Sequence, residues 1–338
     1  MDLNTIWYLL IGILMFAYAA LDGFDLGVGV MHLFARSEKQ RRTNMAAIGP
    51  VWDGNEVWLL TAGGAMFAAF PVVYATTFSG FYLAFMLLLV ALIFRAISLE
   101  FRVQVDNTLW QRFWDFAFGL GSLVPAILFG VAVGNVLRGL PIEADGTLNV
   151  PFVALLNPYA LLVGALSLAM LVMQGGAYLA ARTEGDLCHW AARWASGAWF
   201  AFVILWVVTT IATFFAAPYL FEGILAKPPF WIIIVTMLAG IAAVPVALRA
   251  QAYVRALLAS SLVIASLIGL MGVSMYPRMV PSSIDLAYSL TIYNASSTPR
   301  THTVMLIITL LGLPLVIVYT VLIYKVFMGK IDLKREHY

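Results

Sequence analysis

The sequence predicts an all-α, polytopic membrane protein with nine transmembrane helices, and three observations lead there. Hydrophobic residues make up 63% of the 338 and charged residues only 11%, with a mean hydropathy of +0.94. A soluble domain of this length carries about a quarter charged residues. Apolar runs of about 20 residues, enough to cross a bilayer as helix, recur nine times. The lysines and arginines between these runs fall mainly on alternate sides.

The first run, 6–33, follows MDLNTIWYLL, which has no basic n-region, so it is expected to be a retained span and not a cleaved signal peptide. The second covers 46–70 and closes at Phe70-Pro71; the third, 78–98, ends in the charged segment IFRAISLEFR; the fourth is 114–138. NVPF and NPY, around Pro151 and Pro158, precede the fifth at 158–181, and the sixth is 194–216. Lys227-Pro228-Pro229 opens the seventh at 229–249, the eighth is 254–276, and Thr298-Pro299 introduces the ninth at 302–326. Proline at a helix start costs no internal hydrogen bond, which suits these joints. No gap is long enough for a separate soluble domain, so 1–338 reads as a single integral membrane domain.

Of the nineteen basic residues, only Arg138, Lys227, Arg278 and Arg300 fall on one side of this scheme. The other fifteen lie in alternate segments on the opposite side, which predicts an outer N-terminus and a cytoplasmic C-terminus. The net charge of +2 gives no sign of a nucleic-acid partner. The single cysteine, Cys188, leaves no intramolecular disulfide and no cysteine-based metal site.

Against this background the stretch GPVWDGNEVWLL, Gly49 to Leu60, is out of place, because it puts Asp53, Asn55 and Glu56 in an apolar run. A charge at the bilayer centre costs roughly 2.5–3.5 kcal/mol on insertion scales, so an intramembrane acid points to function. The first span repeats the pattern: LDGFDLGVG sets Asp22 and Asp25 three apart, on one helix face, as Asp53 and Glu56 are. At a rise of 1.5 Å per residue, Asp25 and Asp53 lie about 12 Å and about 10 Å from the cytoplasmic ends of their spans. Acids at similar depth, with glycines allowing close approach or water, suit proton transfer. Each acid also has a structural reading, as a protonated or ion-paired residue with Arg95 or Arg102 as partner; Asp22 is the weakest candidate for a proton role.

In IFRAISLEFR, Arg102 reads as a cytoplasmic anchor with Glu100 paired locally, while the deeper Arg95 is within reach of Asp53 or Glu56. His32, His189, His302 and His337 fall at span ends or in the tail without metal spacing, and read as interfacial residues. Trp52 and Trp58 read as packing or interfacial aromatics, and the fourteen methionines as core filling. From the residues alone, a proton-coupled secondary transporter and a subunit of a respiratory complex both remain open.

Five ordered motifs then narrow the choice: ALDGFDLGVG, IGPVWDGNEVWLL, IFRAISLEFR, GGAYLAARTEG and SLTIYNASS. Their order and separations resemble subunit II of the cytochrome bd-type quinol oxidases, a group that includes the cyanide-insensitive oxidases. The resemblance runs from the first span to the last. It implies two four-helix bundles plus one peripheral helix, and a heterodimer with a similarly folded subunit I that carries two b-type haems, haem d and most of the quinol site. It implies that no cofactor is bound by ligands of this chain, that a small third subunit and lipids are candidate partners, and that the complex sits in the bacterial cytoplasmic (inner) membrane. Quinol would be oxidised on the outer side and dioxygen reduced to water with protons from the cytoplasm. By the same resemblance Asp53 belongs to a proton route, Trp58 lies near an oxygen access path, and Trp52 and Asn55 share a hydrophilic seam against subunit I; the spacing and depth of Asp25 and Glu56 make them the expected further members of that route. One departure is Gln174 before Gly175-Gly176, where the family pattern has a histidine before a single glycine. SLTIYNASS carries no chemistry readable from residue types, and Ser296, Ser297 and Thr298 are expected to cap the last helix.

Overall fold

The structure is a computed structural model that describes residues 1–327 and 329–331; His337, Lys334 and Arg335 lie outside the described residues. Twelve α-helices follow in chain order: α1 Leu3–His32, α2 Glu38–Ile48, α3 Trp52–Ala69, α4 Pro71–Gly80, α5 Tyr82–Phe101, α6 Thr108–Arg138, α7 Phe152–Leu155, α8 Pro158–Arg182, α9 Gly185–Ala216, α10 Pro228–Arg249, α11 Tyr253–Met275 and α12 Pro299–Phe327. Eight of these are long and apolar enough to cross a membrane, or nine units when the bent pair α3–α4 is taken as one span.

The expected span 46–70 is two helices. α2 ends at Ile48 and α3 starts at Trp52: Pro50 lacks the N–H a continuous helix needs, and the backbone leaves helical geometry at Val51, while Gly49 keeps it. Residues 71–80, expected partly as a joint, form α4 with Pro71 in its first turn, and its axis turns 120° from α3. Helices also outrun the apolar stretches that announced them: α6 begins at Thr108, capped by Asn107, whose side chain accepts from the backbone N–H of Leu109 and Trp110.

α8 lies at the centre, with 67% of its membrane window buried, and packs on α1, α6, α9 and α11. α1 also packs on α3 and α6, α5 on α6, and α10 on α11. α12 rests on α1 and α3 and buries none of its membrane window. α1 and α8 meet backbone to backbone: a Cβ on Gly175 would stand 2.6 Å from the Gly27 carbonyl carbon, so only glycine permits this crossing.

At the end of the molecule that holds both the N-terminus of α1 and the C-terminus of α3, SLTIYNASS closes on itself. The Thr291 N–H donates to Asn294 Oδ1 at 2.7 Å, the Asn294 amide donates to the Ser289 carbonyl at 2.9 Å, and the Ser297 N–H reaches Ala69 O at 2.9 Å. Thr298 Oγ1 accepts from the Thr301 N–H at 3.2 Å, which is a cap at the start of α12. β1 Arg278–Val280 and β2 Leu290–Thr291 pair antiparallel beside it.

Candidate functional site

Three helices bring four charged side chains together inside the apolar interior. On α1 the i, i+3 spacing turns Asp22 and Asp25 the same way, and both are 0% exposed. On α5, Arg95 is equally buried. Its Nη2 and Nη1 donate to Asp22 Oδ1 at 2.6 Å and Oδ2 at 3.1 Å, a two-pronged pair, and Nη1 also donates to Glu56 Oε1 of α3 at 2.9 Å. Asp25 Oδ2 lies 3.8 Å from Nη2. Arg95 can come this deep because α5 and α6 touch at Gly121, where a Cβ would lie 2.6 Å from Ala91 O and 2.8 Å from the Arg95 nitrogen.

The cluster continues through neutral polar groups. Asn55 Nδ2 donates to Asp25 Oδ2 at 2.8 Å, and Tyr324 of α12 donates its hydroxyl proton to Asn55 Oδ1 at 2.8 Å. The other Asp25 oxygen, Oδ1, is buried without a hydrogen-bond partner among the described residues. One guanidinium faces three carboxyl groups, so the site is charge-balanced only when two of those groups hold protons. Burying two uncompensated charges would cost several kcal/mol for each ion.

The structure places the expected residues as follows. Glu56, Asp25 and Asn55 belong to the cluster. Asp53, one turn before Glu56, is exposed and makes no ion pair among the described residues with Arg95, which answers Glu56 and Asp22 instead. Asp22, the weakest candidate from sequence, takes the shortest bond to Arg95. Glu100 is exposed and makes no ion pair among the described residues: it lies on the outward face of α5, opposite the side that turns Arg95 inward. Trp58 is 8% exposed and packs with Leu14, Tyr18 and Ala62, while Trp52 is half-buried against the main core.

Sequence reasoning missed a second ionic cluster. Arg102, just past α5, donates from Nε to Asp115 Oδ1 at 2.6 Å and from Nη2 to both Glu38 oxygens at 2.8 Å. His32 Nε2 meets the same Asp115 Oδ1 at 2.9 Å, and Arg41 Nε stands 3.6 Å from Asp115 Oδ2. Burial acts to lower the Arg102 pKa, but hydrogen bonds to Asp115 and Glu38 outweigh it and hold the group above its usual value. Arg102 is therefore tied to α2 and α6 and not to Glu100, and His32, 2% exposed, is interior and not interfacial. The available signal was Asp115 itself, an acid just inside the expected span 114–138.

His302, expected at an interface, is 0% exposed, with Nε2 3.0 Å from Ala69 O, because Trp7 and Phe70 pack round it. With His32 engaged by Asp115 as well, both Nε2 atoms have partners, while Nδ1 of each ring is buried without a hydrogen-bond partner among the described residues. His189 is exposed, its Nδ1 2.8 Å from Gly185 O. Gln174 is buried and ties three helices: its amide donates to Ala20 O at 3.0 Å and Ser261 Oγ at 2.9 Å, and its Oε1 accepts from Ser260.

The family profile described as "Cytochrome bd terminal oxidase subunit II" matches residues 3–327. The chain is 36% identical over 369 aligned residues to the protein named Cytochrome bd-I ubiquinol oxidase subunit 2 of Escherichia coli strain K12, covering 99% of this chain and 97% of that one. It is 34% identical over 335 residues to Cytochrome bd ubiquinol oxidase subunit 2 of Bacillus subtilis strain 168, covering 98% of each. Its fold superposes on a chain of the bd oxidase from Geobacillus thermodenitrificans with a TM-score of 0.78 at 17% identity, covering 99% of this chain and 100% of that one. With a profile match along nearly its whole length and relatives above 30% identity, the chain belongs to the cytochrome bd terminal oxidase subunit II family.

Proposed function

We propose that this chain is the haem-free half of a quinol:oxygen oxidoreductase of the bacterial cytoplasmic membrane, pairing with a haem-bearing subunit I and carrying protons toward it. In this reading the two b-type haems and haem d belong to subunit I, which supplies the redox chemistry. The chain is a single membrane unit with its N-terminus outside and its C-terminus in the cytoplasm. The observation that carries the proton role is the step from an exposed Asp53 through a half-buried Glu56, one turn away, to the buried Arg95, Asp22 and Asp25.

Asp53 sits on a face of α3 that also exposes Val57, Leu60 and Phe67. A partner laid along that face would cover the apolar residues and keep Asp53 wet with its own polar groups. Trp52, Asn55 and Trp58 then stand at or just behind the seam, where Trp58 borders the path for oxygen. Asp53 takes up a proton, Glu56 and Asp25 pass it between carboxyl oxygens, and the guanidinium of Arg95 keeps the acids within reach while offsetting their charge.

The test is Asp53→Asn and Asp53→Leu in the complex. Assembly and haem content are expected to stay near wild type while oxygen consumption falls by about 10²-fold, the lower range for a lost proton-transfer group. Normal turnover in an assembled, haem-loaded Asp53→Leu complex would sink the proton role; failure to assemble would make Asp53 a structural residue of the seam.

The alternative of a proton-coupled secondary transporter calls for helices broken near the midplane, often in both halves. The 120° bend between α3 and α4 lies at Phe70, at the far end of α3 from the acids. A colourless, monomeric preparation with proton-coupled uptake would favour that carrier; a preparation with a neighbouring subunit and reduced-minus-oxidised haem bands favours the oxidase.

A further inference from the structure

A groove of about 1630 Å³ opens between α2, α8 and α9, and no residue of the acid cluster lines it. One end is charged: Arg36, Lys39 and Arg193 line it together with Glu184 and Asp186. The three cations are exposed, and none makes an ion pair among the described residues. Deeper in, the wall is apolar and small-sided, built by Leu168 and Val172 of α8 and by Gly197, Ala198 and Leu205 of α9. Nothing lies within 4 Å of where a Cβ on Gly197 would stand, so the slot is open there. Trp190 and Trp194 mark the change from charged to apolar, in contact with each other at 6.1 Å between ring centroids.

We infer that this groove is a binding site for one anionic glycerophospholipid of the leaflet on the basic side. Three cations, unpaired among the described residues, against two carboxylates leave one positive charge, which a phospholipid carrying a single net negative charge neutralises and a zwitterionic one does not. From Arg193 to Leu205 the α9 wall runs about 18 Å, close to the roughly 15 Å of one leaflet in a ~30 Å hydrocarbon core. A paired tryptophan rim at that level is where amphipathic rings sit at a headgroup boundary. Only 11% of the α9 membrane window is buried, so acyl chains reach the slot from the side. The inference is independent of the proton-route reading, since no residue of the acid cluster lines the groove.

The test uses the chain purified together with the subunit it assembles with, stripped of native lipid. The complex is then exposed to phosphatidylglycerol or phosphatidylcholine, with retained lipid counted by native mass spectrometry. The wild type is expected to hold one phosphatidylglycerol with roughly fivefold preference, the size expected of one uncompensated cation near the surface. Replacing Arg36, Lys39 and Arg193 together by glutamine should abolish the preference, and Gly197→Trp, which leaves every charge in place, should abolish retention by filling the slot. Equal retention of the two lipids by the wild type overturns the proposal, as does a Gly197→Trp complex that still holds the lipid. Cross-linking of residues beyond Ile331 into the groove would make the chain's own tail the occupant and overturn it equally.

Discussion

Arg95 of α5 grips both carboxylate oxygens of Asp22 on α1, 73 residues away in the chain, while the same guanidinium holds Glu56 of α3. This joint fixes the relative rotation of three helices, because a two-pronged guanidinium–carboxylate pair tolerates little twist. It also sets the acids of α1 and α3 around one positive charge, which is the physical basis for retaining them in an apolar interior.

Removing that charge should be costly. Arg95→Gln leaves Asp22 buried without its cation and removes the partner of the part-exposed Glu56, and loss of one member of a buried pair costs about 3–5 kcal/mol. A sharp fall in assembled complex and a lowered thermal inactivation temperature are expected. Adding Asp22→Asn should recover part of the loss, and a double variant no more stable than Arg95→Gln alone would argue that the two do not act as a pair.

Gly121 is a stringent test of how Arg95 is placed. A side chain there meets Ala91 O and the Arg95 nitrogen at 2.6 and 2.8 Å, so Gly121→Val must push α5 off α6. A destabilisation of about 1–3 kcal/mol is expected from overpacking, with loss of activity through Arg95. Gly12→Ala, where nothing stands within 4 Å, should be neutral or stabilise by up to about 1 kcal/mol; thermal denaturation of the purified complex compares the two.

Tyr324→Phe deletes one hydroxyl and should cost about 0.5–1.5 kcal/mol. Because Tyr324 donates the hydrogen bond that Asn55 Oδ1 accepts among the described residues, its loss frees the Asn55 amide to turn away from Asp25. Limited proteolysis of α12 and the thermal midpoint report the first effect. The second should appear as a changed pH profile of oxygen consumption with little change in haem content.

Asp115→Ala strips the shared acceptor from His32 and Arg102 while leaving Glu38 on Arg102. A hydrogen bond to a charged group is worth about 1.5–3 kcal/mol, so a loss of that order is expected. Faster amide exchange should be confined to α2 and the ends of α1 and α5, with the Arg95 cluster unaffected.

Much of the architecture was legible from local chemistry. Long apolar runs must form helices in lipid, since every backbone polar group needs an internal partner there, and acids three apart necessarily share a helix face. Partner choice was not legible. Arg95 turned to Asp22 and Glu56 and not to Asp53, and Arg102 to Asp115 and Glu38 and not to Glu100, since these choices depend on how α1, α3, α5 and α6 rotate against one another. The break at Gly49–Val51 does not show in the apolar pattern, which runs on across it, although Pro50 marks the place.

By itself, then, the order of residues determined which segments enter the membrane, that acids go with them, and which family they belong to. Only the folded chain decided that Asp22 and Asp25 are sealed in with Arg95 while Asp53 stays at the surface. The physical reason is that helix formation depends on neighbours within a turn, whereas the burial of a charge depends on which distant side chain arrives to offset it.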